Sequence, residues 1–137
     1  MKTRITVETI VNAPIETVWQ MWTAPEHIVN WYHASDDWHA PAAENDLHPD
    51  GVFKTTMAAR DGSVRFELEG KYSLVSPHEK ICYILSDGRT VDIDFLKEEK
   101  GIYIIETFEA EEVNSIALQR SGWQAILDNF KKYVEGN

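Results

Sequence analysis

The chain has 137 residues, enough for one domain with a substantial core, and its 43 % hydrophobic content is ordinary for a soluble globular protein. Its 13 Lys and Arg against 23 Asp and Glu give a net charge of −10, which disfavours binding to nucleic acids and to anionic membranes. Cys82 is the single cysteine, which excludes an intrachain disulfide, and no apolar run approaches the roughly 20 residues of a membrane helix.

The amino-terminal segment predicts a strand followed by two short helices. Apolar and polar residues alternate through RITVETIV, which indicates a half-buried strand, and MKTRITVETI resembles neither a signal nor a transit peptide, so a cytoplasmic location is expected. Thr23 and Glu26 have the spacing of a capping box, which predicts a second helix over about residues 25–30. The first helix is predicted from apolar residues at helical spacing, which are Ile15, Val18, Trp19 and Trp22.

From residue 36 to residue 108 the sequence predicts six consecutive strands. Asp-Gly pairs at residues 61–62 and 87–88 are hairpin signals, and links this short require antiparallel neighbours. Strand parity gives one apolar and one charged face, as in a sheet that is covered on one side. The predicted apolar face contains Phe53, Thr55, Met57, Val64, Phe66, Leu68, Gly70, Tyr72, Leu74, Ile81, Tyr83, Leu85, Val91, Ile93 and Phe95.

A long helix is predicted at the carboxyl end, capped by Asn114 or Ser115 and stopped at Gly136. Such a helix spans about 30 Å and is longer than a strand of about seven residues, so it can cross the whole sheet. Because a sheet twists and a helix is nearly straight, a gap remains between them that is either filled by large side chains or left as an apolar cavity. The inward stripe of the helix is predicted to be Ile116, Gln119, Trp123, Ile126, Leu127, Phe130 and Val134.

Five strings cover almost the whole chain in a recognisable order: NAPIETVWQMWTAPEHIVNWY, DLHPDGVFKTTM, DGSVRFELEGKYSLVSPHEKICYILSDGR, ETFEAEE and QRSGWQAILDNFKKYVE. Together they resemble the homologue-like family of the activator of the 90-kDa heat-shock protein ATPase, in the START-like, helix-grip (SRPBCC) superfamily. The resemblance implies a single START-like domain over residues 1–137. Its fold would be α+β, with a curved antiparallel sheet of about six to seven strands around the long carboxy-terminal helix and two short helices after the first strand.

The resemblance also implies a function, namely binding of a small apolar or aromatic molecule between the long helix and the sheet. The alternatives are a chaperone-linked interaction module, or a cyclase- or hydrolase-like enzyme that uses the same cavity. The chain departs from the family at His48 and Asp50, where the family often has an Arg and the first of two glycines, so functions tied to that Arg do not transfer. The eukaryotic activator makes much of its chaperone contact through a separate amino-terminal domain, for which this chain is expected to have no room.

The predicted ligand site combines aromatic rings with few polar groups, as small-molecule sites commonly do. No cofactor is expected, and the sequence leaves the oligomeric state open. Gly70 is included because a missing side chain on the inner face marks either a bulge or room for a ligand. The predicted ligand-binding residues are Trp31, Trp38, Phe53, Phe66, Gly70, Tyr72, Tyr83, Phe108, Gln119 and Trp123.

The stretch NWYHASDDWHAP is rich in His and Asp but lacks the spacing of a metal site, so no metal is expected. We interpret it as the rim of the cavity, with Trp31 and Trp38 directed inward and His33, Ser35 and Asp36 in the turn at its mouth. Cys82 lies in the middle of a predicted strand and is interpreted as a buried, unreactive thiol.

Glu106 is the stronger of two candidates for a catalytic acid or base. Its parity on IYIIETF directs a carboxylate toward the apolar interior, where burial raises the pKa of a carboxyl. It could act as a general acid or base, reach water at the strand end, or bond a partner such as Gln119. His48 is the second, weaker candidate for a catalytic base.

Overall fold

The computed structural model describes residues 3–137, which form seven strands and three helices. The α+β helix-grip architecture, the two short helices after the first strand and the long final helix are therefore confirmed. Residues 1 and 2 of the opening segment lie outside the described range, and within residues 3–137 no helix has the length and apolar character needed to cross a membrane. The elements are β1 (Arg4–Val11), α1 (Ile15–Thr23), α2 (Pro25–Trp31), β2 (Trp38–Asn45), β3 (Val52–Ala59), β4 (Arg65–Ser76), β5 (Lys80–Leu85), β6 (Thr90–Glu98), β7 (Gly101–Glu109) and α3 (Ile116–Glu135).

The seven strands form one curved sheet in the order β1-β7-β6-β5-β4-β3-β2, and all neighbours are antiparallel. Consecutive hairpins carry the chain from β2 to β7, as the short turns predicted. Gly62 and Gly88 in two of these turns have φ values of 80° and 94°, a left-handed conformation that glycine adopts without steric cost. The first strand pairs with the last because α1 and α2 carry the chain from β1 to the opposite edge of the sheet.

Helix α3 runs beside β1 and covers its free edge. The Gln124 side chain accepts a hydrogen bond from the Glu8 backbone N–H at 3.3 Å and donates one to the Glu8 carbonyl at 3.0 Å. The Glu135 carboxylate accepts a hydrogen bond from the Asn12 backbone N–H at 2.8 Å. An uncovered edge strand offers its backbone groups to other chains, so these side chains protect one edge of the sheet.

Aromatic rings fill the centre of the space between the helices and the sheet. Trp22 of α1, Trp31 of α2 and Phe130 of α3 contact one another with ring centroids 4.7 to 5.1 Å apart. Trp31 and Phe130 are almost completely buried, and pairs of this geometry add to the stability gained from burial alone. The inner face of β5 and β6 below them is also buried, as predicted, through Ile81, Tyr83, Leu85, Val91, Ile93 and Phe95.

The prediction of which β4 side chains point toward the core is wrong at the end of the strand. The pairing of β4 with β5 shifts between Tyr72 and Leu74, which marks a β-bulge. The extra residue reverses the alternation, so Leu74 is 41 % exposed on the outer face, whereas Val75 packs against the core. Val64 precedes the strand and is likewise exposed, because it lies in the turn before β4.

Two predicted details of the helix ends are also corrected. Thr23 does not cap α2: it is the last residue of α1, and its hydroxyl donates a hydrogen bond to the Trp19 carbonyl at 2.7 Å. Ser115 caps α3, and its side chain accepts a hydrogen bond from the Leu118 N–H at 3.0 Å. Ile116 is 37 % exposed in the first turn of α3, so the buried stripe of this helix begins only one turn later, at Gln119.

Gly70 offers a test of how tightly the inner face is packed. A Cβ at this position would lie 2.5 Å from Cε1 of the Phe53 ring, which is itself buried and packed against two tyrosines. We expect Gly70→Ala to lower the free energy of unfolding by about 1 to 3 kcal/mol, because the ring cannot withdraw. Urea titration followed by tryptophan fluorescence measures this change.

Gly122→Ala is the matched control, since a Cβ at Gly122 meets nothing within 4 Å. This variant removes a glycine from a helix interior and is expected to raise stability by up to about 1 kcal/mol. Equal effects of the two substitutions would contradict the packing assigned to Gly70.

Candidate functional site

Two spaces lie between the helices and the inner face of the sheet. The inner cavity, of about 40 Å³, lies between the short helices and the sheet. A void of about 10 Å³ adjoins it on the α3 side and shares four of its lining residues, Trp22, Trp31, Tyr32 and Glu106. The outer groove is much larger, at about 390 Å³, and opens beside the first half of α3. We use the terms inner cavity, including the adjoining void, and outer groove for these two spaces.

Glu106 is the most deeply placed carboxyl of the inner cavity. On β7 it pairs with Val7 of β1 and Ile93 of β6, which are both buried, so the parity of the strand directs its carboxyl inward as predicted. The residue is 6 % exposed, and its carboxyl forms no hydrogen bond within residues 3–137. Burial raises the pKa of Glu106 from 4.5 to about 8. The carboxyl is therefore mainly neutral at pH 7 and retains unused hydrogen-bonding capacity.

The tyrosines around Glu106, by contrast, have hydrogen-bond partners. The hydroxyls of Tyr32 and Tyr83 bond each other, and burial raises the pKa of both. Tyr72 donates to Oδ1 of Asn45 at 2.6 Å, and burial raises the pKa of Tyr72 as well. All three hydroxyls thus stay protonated, and Glu106 is the one group among them without a partner.

The outer groove is bounded by α3, β3, β4 and the segment after α2. Trp123 of α3 lies in its wall and stacks on Phe108 of β7 with ring centroids 3.8 Å apart. Gly122 leaves the helix surface beside it without a side chain. Phe66 and Leu118, which also line the groove, are 47 % and 59 % exposed. Other lining residues are Met57, Leu68, Arg89, Glu111, Asn114 and Ile126.

A thin wall of side chains separates the two spaces. Tyr32, Trp123 and Ile126 line both the outer groove and the inner cavity. Tyr32 is the C-cap residue of α2, and its backbone N–H donates a hydrogen bond to the Ile28 carbonyl at 3.1 Å. Its ring is held by the Trp31 ring, with centroids 5.2 Å apart, and by its hydroxyl contact with Tyr83.

Most of the rings predicted to form the ligand site lie around these spaces. Trp31, Phe53, Tyr72 and Tyr83 line the inner cavity, as does Glu106. Phe66, Gln119 and Trp123 line the outer groove. Two others lie one layer behind the groove: Phe108 beneath Trp123, and Trp38 packed edge-on against Phe66 at 5.8 Å.

Two predicted roles need correction. Gly70 provides no room for a ligand, because the Phe53 ring occupies the space above it. His48 is no candidate for a base in either space, since it lies on an exposed turn with Nδ1 2.7 Å from the Asp46 carboxylate and lines neither. The error at Gly70 concerns a contact between residues distant in sequence, and the error at His48 concerns the path of a loop. Strand parity specifies neither.

Gln119 is buried as predicted but does not bond Glu106. Its Oε1 accepts a hydrogen bond from the Glu111 N–H at 2.9 Å, and its Nε2 donates to the Asn114 carbonyl at 2.8 Å and to the Glu111 carbonyl at 3.1 Å. The side chain therefore fastens the loop between β7 and α3, and its amide is fully engaged. The alternative that Gln119 satisfies the buried carboxyl is wrong.

Tyr32 is the important residue that the sequence reading missed. No role is assigned to Tyr32 from the sequence, because the predicted second helix ends before it. The available signal was its position directly after Trp31 in a chain rich in rings, because adjacent residues after a helix end can both reach the interior. Leu118 and Gly122 were not predicted as site residues, because the inward face of the final helix was assigned from its core positions alone.

The His- and Asp-rich stretch contributes rings rather than ligands for a metal. Within residues 3–137 no group of three or more His, Cys, Asp or Glu side chains is arranged to hold a metal ion. His33 Nε2 accepts a hydrogen bond from Asn129 Nδ2 at 2.8 Å, and burial lowers the pKa of His33. Cys82 is half-buried on the outer face, and loss of solvation raises the pKa of its thiol to about 11, which disfavours the reactive thiolate.

Comparison with known proteins extends these observations. The family model described as Activator of Hsp90 ATPase homolog 1-like protein matches residues 12–135. The solution structure of an AHSA1-like protein from Aeromonas hydrophila is 41 % identical, with a TM-score of 0.92, over 98 % of this chain and 93 % of that one. A protein from Cytophaga hutchinsonii is 48 % identical, with a TM-score of 0.81, over 99 % and 93 % of the two chains.

A protein from Chromobacterium violaceum shares the fold, with a TM-score of 0.87 over 98 % of this chain and 99 % of that one, at 19 % identity. No curated protein sequence matches the chain significantly.

The buried carboxyl predicts a pH dependence of stability. Between pH 4.5 and about 8 the folded state keeps the proton of Glu106 while the unfolded state releases it. The free energy of unfolding therefore falls as pH rises through this window, by up to about 1.4 kcal/mol per pH unit from this residue. In Glu106→Gln this contribution is absent, so the variant gains stability relative to the native chain from pH 5 to pH 8. Urea unfolding at unit pH steps measures the difference.

Glu99→Gln, in the exposed turn between β6 and β7, controls for the loss of one negative charge. A stability difference between Glu106→Gln and the native chain that stays constant from pH 5 to pH 8 would show that Glu106 ionises normally.

Proposed function

The chain belongs to the family of Activator of Hsp90 ATPase homolog 1-like proteins, and from this membership and the geometry of its interior we propose that it binds a small apolar or aromatic molecule in the outer groove. The observation that carries the proposal is a ring-lined groove beside the long helix that the side chains of the protein do not fill. Its volume of about 390 Å³ falls within the range of roughly 300 to 1,000 Å³ usual for ligand sites.

The exposed apolar rim supports the proposal. Phe66 and Leu118 present large side chains to water on opposite walls of the groove, and Met57 and Trp123 continue this surface inward. Contiguous apolar surface that remains exposed commonly marks a binding site, because covering it releases ordered water. A ligand in the groove would bury these side chains without any change in the sheet.

The polar groups of the groove favour an apolar ligand, since most of them are already engaged. Gln119 holds the loop before α3, and Glu111 in that loop accepts hydrogen bonds from the N–H groups of Asn114 and Val113 at 2.7 and 3.1 Å. Arg89 donates to the Asp87 carboxylate at 2.7 Å. The Gln119 amide and the Glu111 carboxylate are thus engaged within the protein, and affinity would come mainly from ring contact and apolar burial.

Gly122 provides a variant that blocks the groove while leaving the fold intact. Gly122 lines the groove, a Cβ at this position meets nothing within 4 Å, and leucine is a better helix former than glycine. We expect Gly122→Leu to weaken the binding of indole, naphthol or decanol by roughly tenfold or more, a loss of about 1.4 kcal/mol or more, at unchanged or higher stability. Titrations followed by amide NMR shifts and tryptophan fluorescence measure this change.

Ser121→Leu is the matched control, since it adds the same side chain one position away on the exposed face of α3. It should leave the affinities unchanged. If none of these probes shifts the resonances of residues around Trp123 at millimolar concentration, or if Gly122→Leu binds them as well as the native chain does, the groove is not the binding site.

A further inference from the structure

We propose that the inner cavity is a subsite for a protonated amine, carried by a ligand whose apolar body occupies the outer groove. This inference rests on the proposed function and adds the chemical class of the ligand. It comes from an unpartnered carboxyl enclosed by aromatic rings directly behind the groove wall.

The lining of the inner cavity has the composition that recognises cations. Trp22, Trp31, Tyr32 and Trp123 surround Glu106 with ring surface, and the electron-rich faces of such rings attract an ammonium group. The titratable groups that face the cavity are Tyr32 after α2, Glu44 on β2, Tyr72 on β4, Tyr83 on β5 and Glu106 on β7, and neither α1 nor α3 contributes one. No Lys, Arg or His lines it within residues 3–137, so nothing there repels a cation or neutralises the carboxyl.

The unused bonding capacity of Glu106 indicates a hydrogen-bonding ligand. Buried polar groups in folded proteins nearly always have a partner, and leaving one unpaired is costly. The three neighbouring tyrosine hydroxyls have protein partners, whereas the carboxyl has no protein hydrogen-bond partner within residues 3–137. An ammonium group carries N–H donors that could bond the oxygens of the Glu106 carboxylate. The overall charge of −10 favours the approach of a cation.

The size of the inner cavity limits what enters it. A water molecule needs about 10 to 15 Å³ of such space, so about 40 Å³ admits an ammonium or methylammonium group but no ring. The body of the ligand must therefore remain in the outer groove. The Tyr32 side chain lines both spaces from the carboxyl end of α2, so rotation of this side chain is the movement that would connect them.

The proton balance gives this subsite a distinctive signature. The free carboxyl of Glu106 is protonated at neutral pH because burial raises its pKa to about 8. An ammonium group placed against it stabilises the carboxylate, so the carboxyl proton passes to the buffer while the amine keeps its own, and no covalent bond changes. Binding of an amine should thus release up to about one proton at pH 7, whereas binding of an alcohol should release none.

The test compares naphthylmethylamine with naphthylmethanol, which share a ring body and differ in the head group. We expect the native chain to bind the amine at least roughly tenfold more tightly, and Glu106→Gln to reduce this preference to less than about threefold. Calorimetry in buffers of different ionisation enthalpy should detect about one released proton for the amine with the native chain and none with Glu106→Gln. Glu99→Gln, which removes a charge of the same sign from an exposed turn, should behave like the native chain.

The outcomes separate the two proposals. The amine subsite would be overturned if the alcohol and the amine bound with equal affinity and no proton was released. If Gly122→Leu also abolished alcohol binding, the proposal for the outer groove would remain intact. An amine preference that persists in Glu106→Gln would likewise overturn it, because the attraction would then come from the acidic surface. Absence of binding by both probes would overturn the amine subsite together with the groove.

Discussion

The mismatch between a straight helix and a curved sheet governs the interior of this protein. Helix α3 has 20 residues and follows β1 along one edge, while the sheet curves away toward β2 at the other. A separation that changes along the helix cannot be filled by aliphatic side chains of one size, so the centre is filled by the contacting rings of Trp22, Trp31 and Phe130. Toward the start of α3 the side chains no longer fill the space, and the outer groove begins.

Glu106 lies where this filling is incomplete, and its position follows from β7 itself. Every second residue of that strand is buried, so a carboxyl at this register must face the interior. An isolated charge there would be expensive, and the protein keeps the group neutral instead of pairing it. A glutamine would avoid the ionisation cost at similar volume. The presence of glutamate is therefore a structural cost that packing does not explain, and it directs attention to a ligand.

Much of the fold follows from patterns in the sequence, but the site follows only in part. Alternation and Asp-Gly turns predicted seven strands and the inward direction of Glu106, because period-two burial is local and the hairpins fix the neighbours. The β4 bulge after Tyr72 defeated the same rule, since one inserted residue reverses every later side chain. Gln119 was placed on the correct face, yet its partners lie in the preceding loop, whose path has no periodic signal.

Tyr32 lies between the regular part of the structure and the connecting segment before β2. Elements with strong periodicity form the walls of both spaces, and the residue that separates the spaces lies in a short segment with none. Regular elements hold a cavity in shape because many contacts and hydrogen bonds oppose their movement, whereas the Tyr32 side chain can turn at the cost of its ring contact with Trp31 and its hydroxyl contact with Tyr83. The regular elements therefore set the size of the outer groove, and the Tyr32 side chain separates that groove from the buried carboxyl of Glu106.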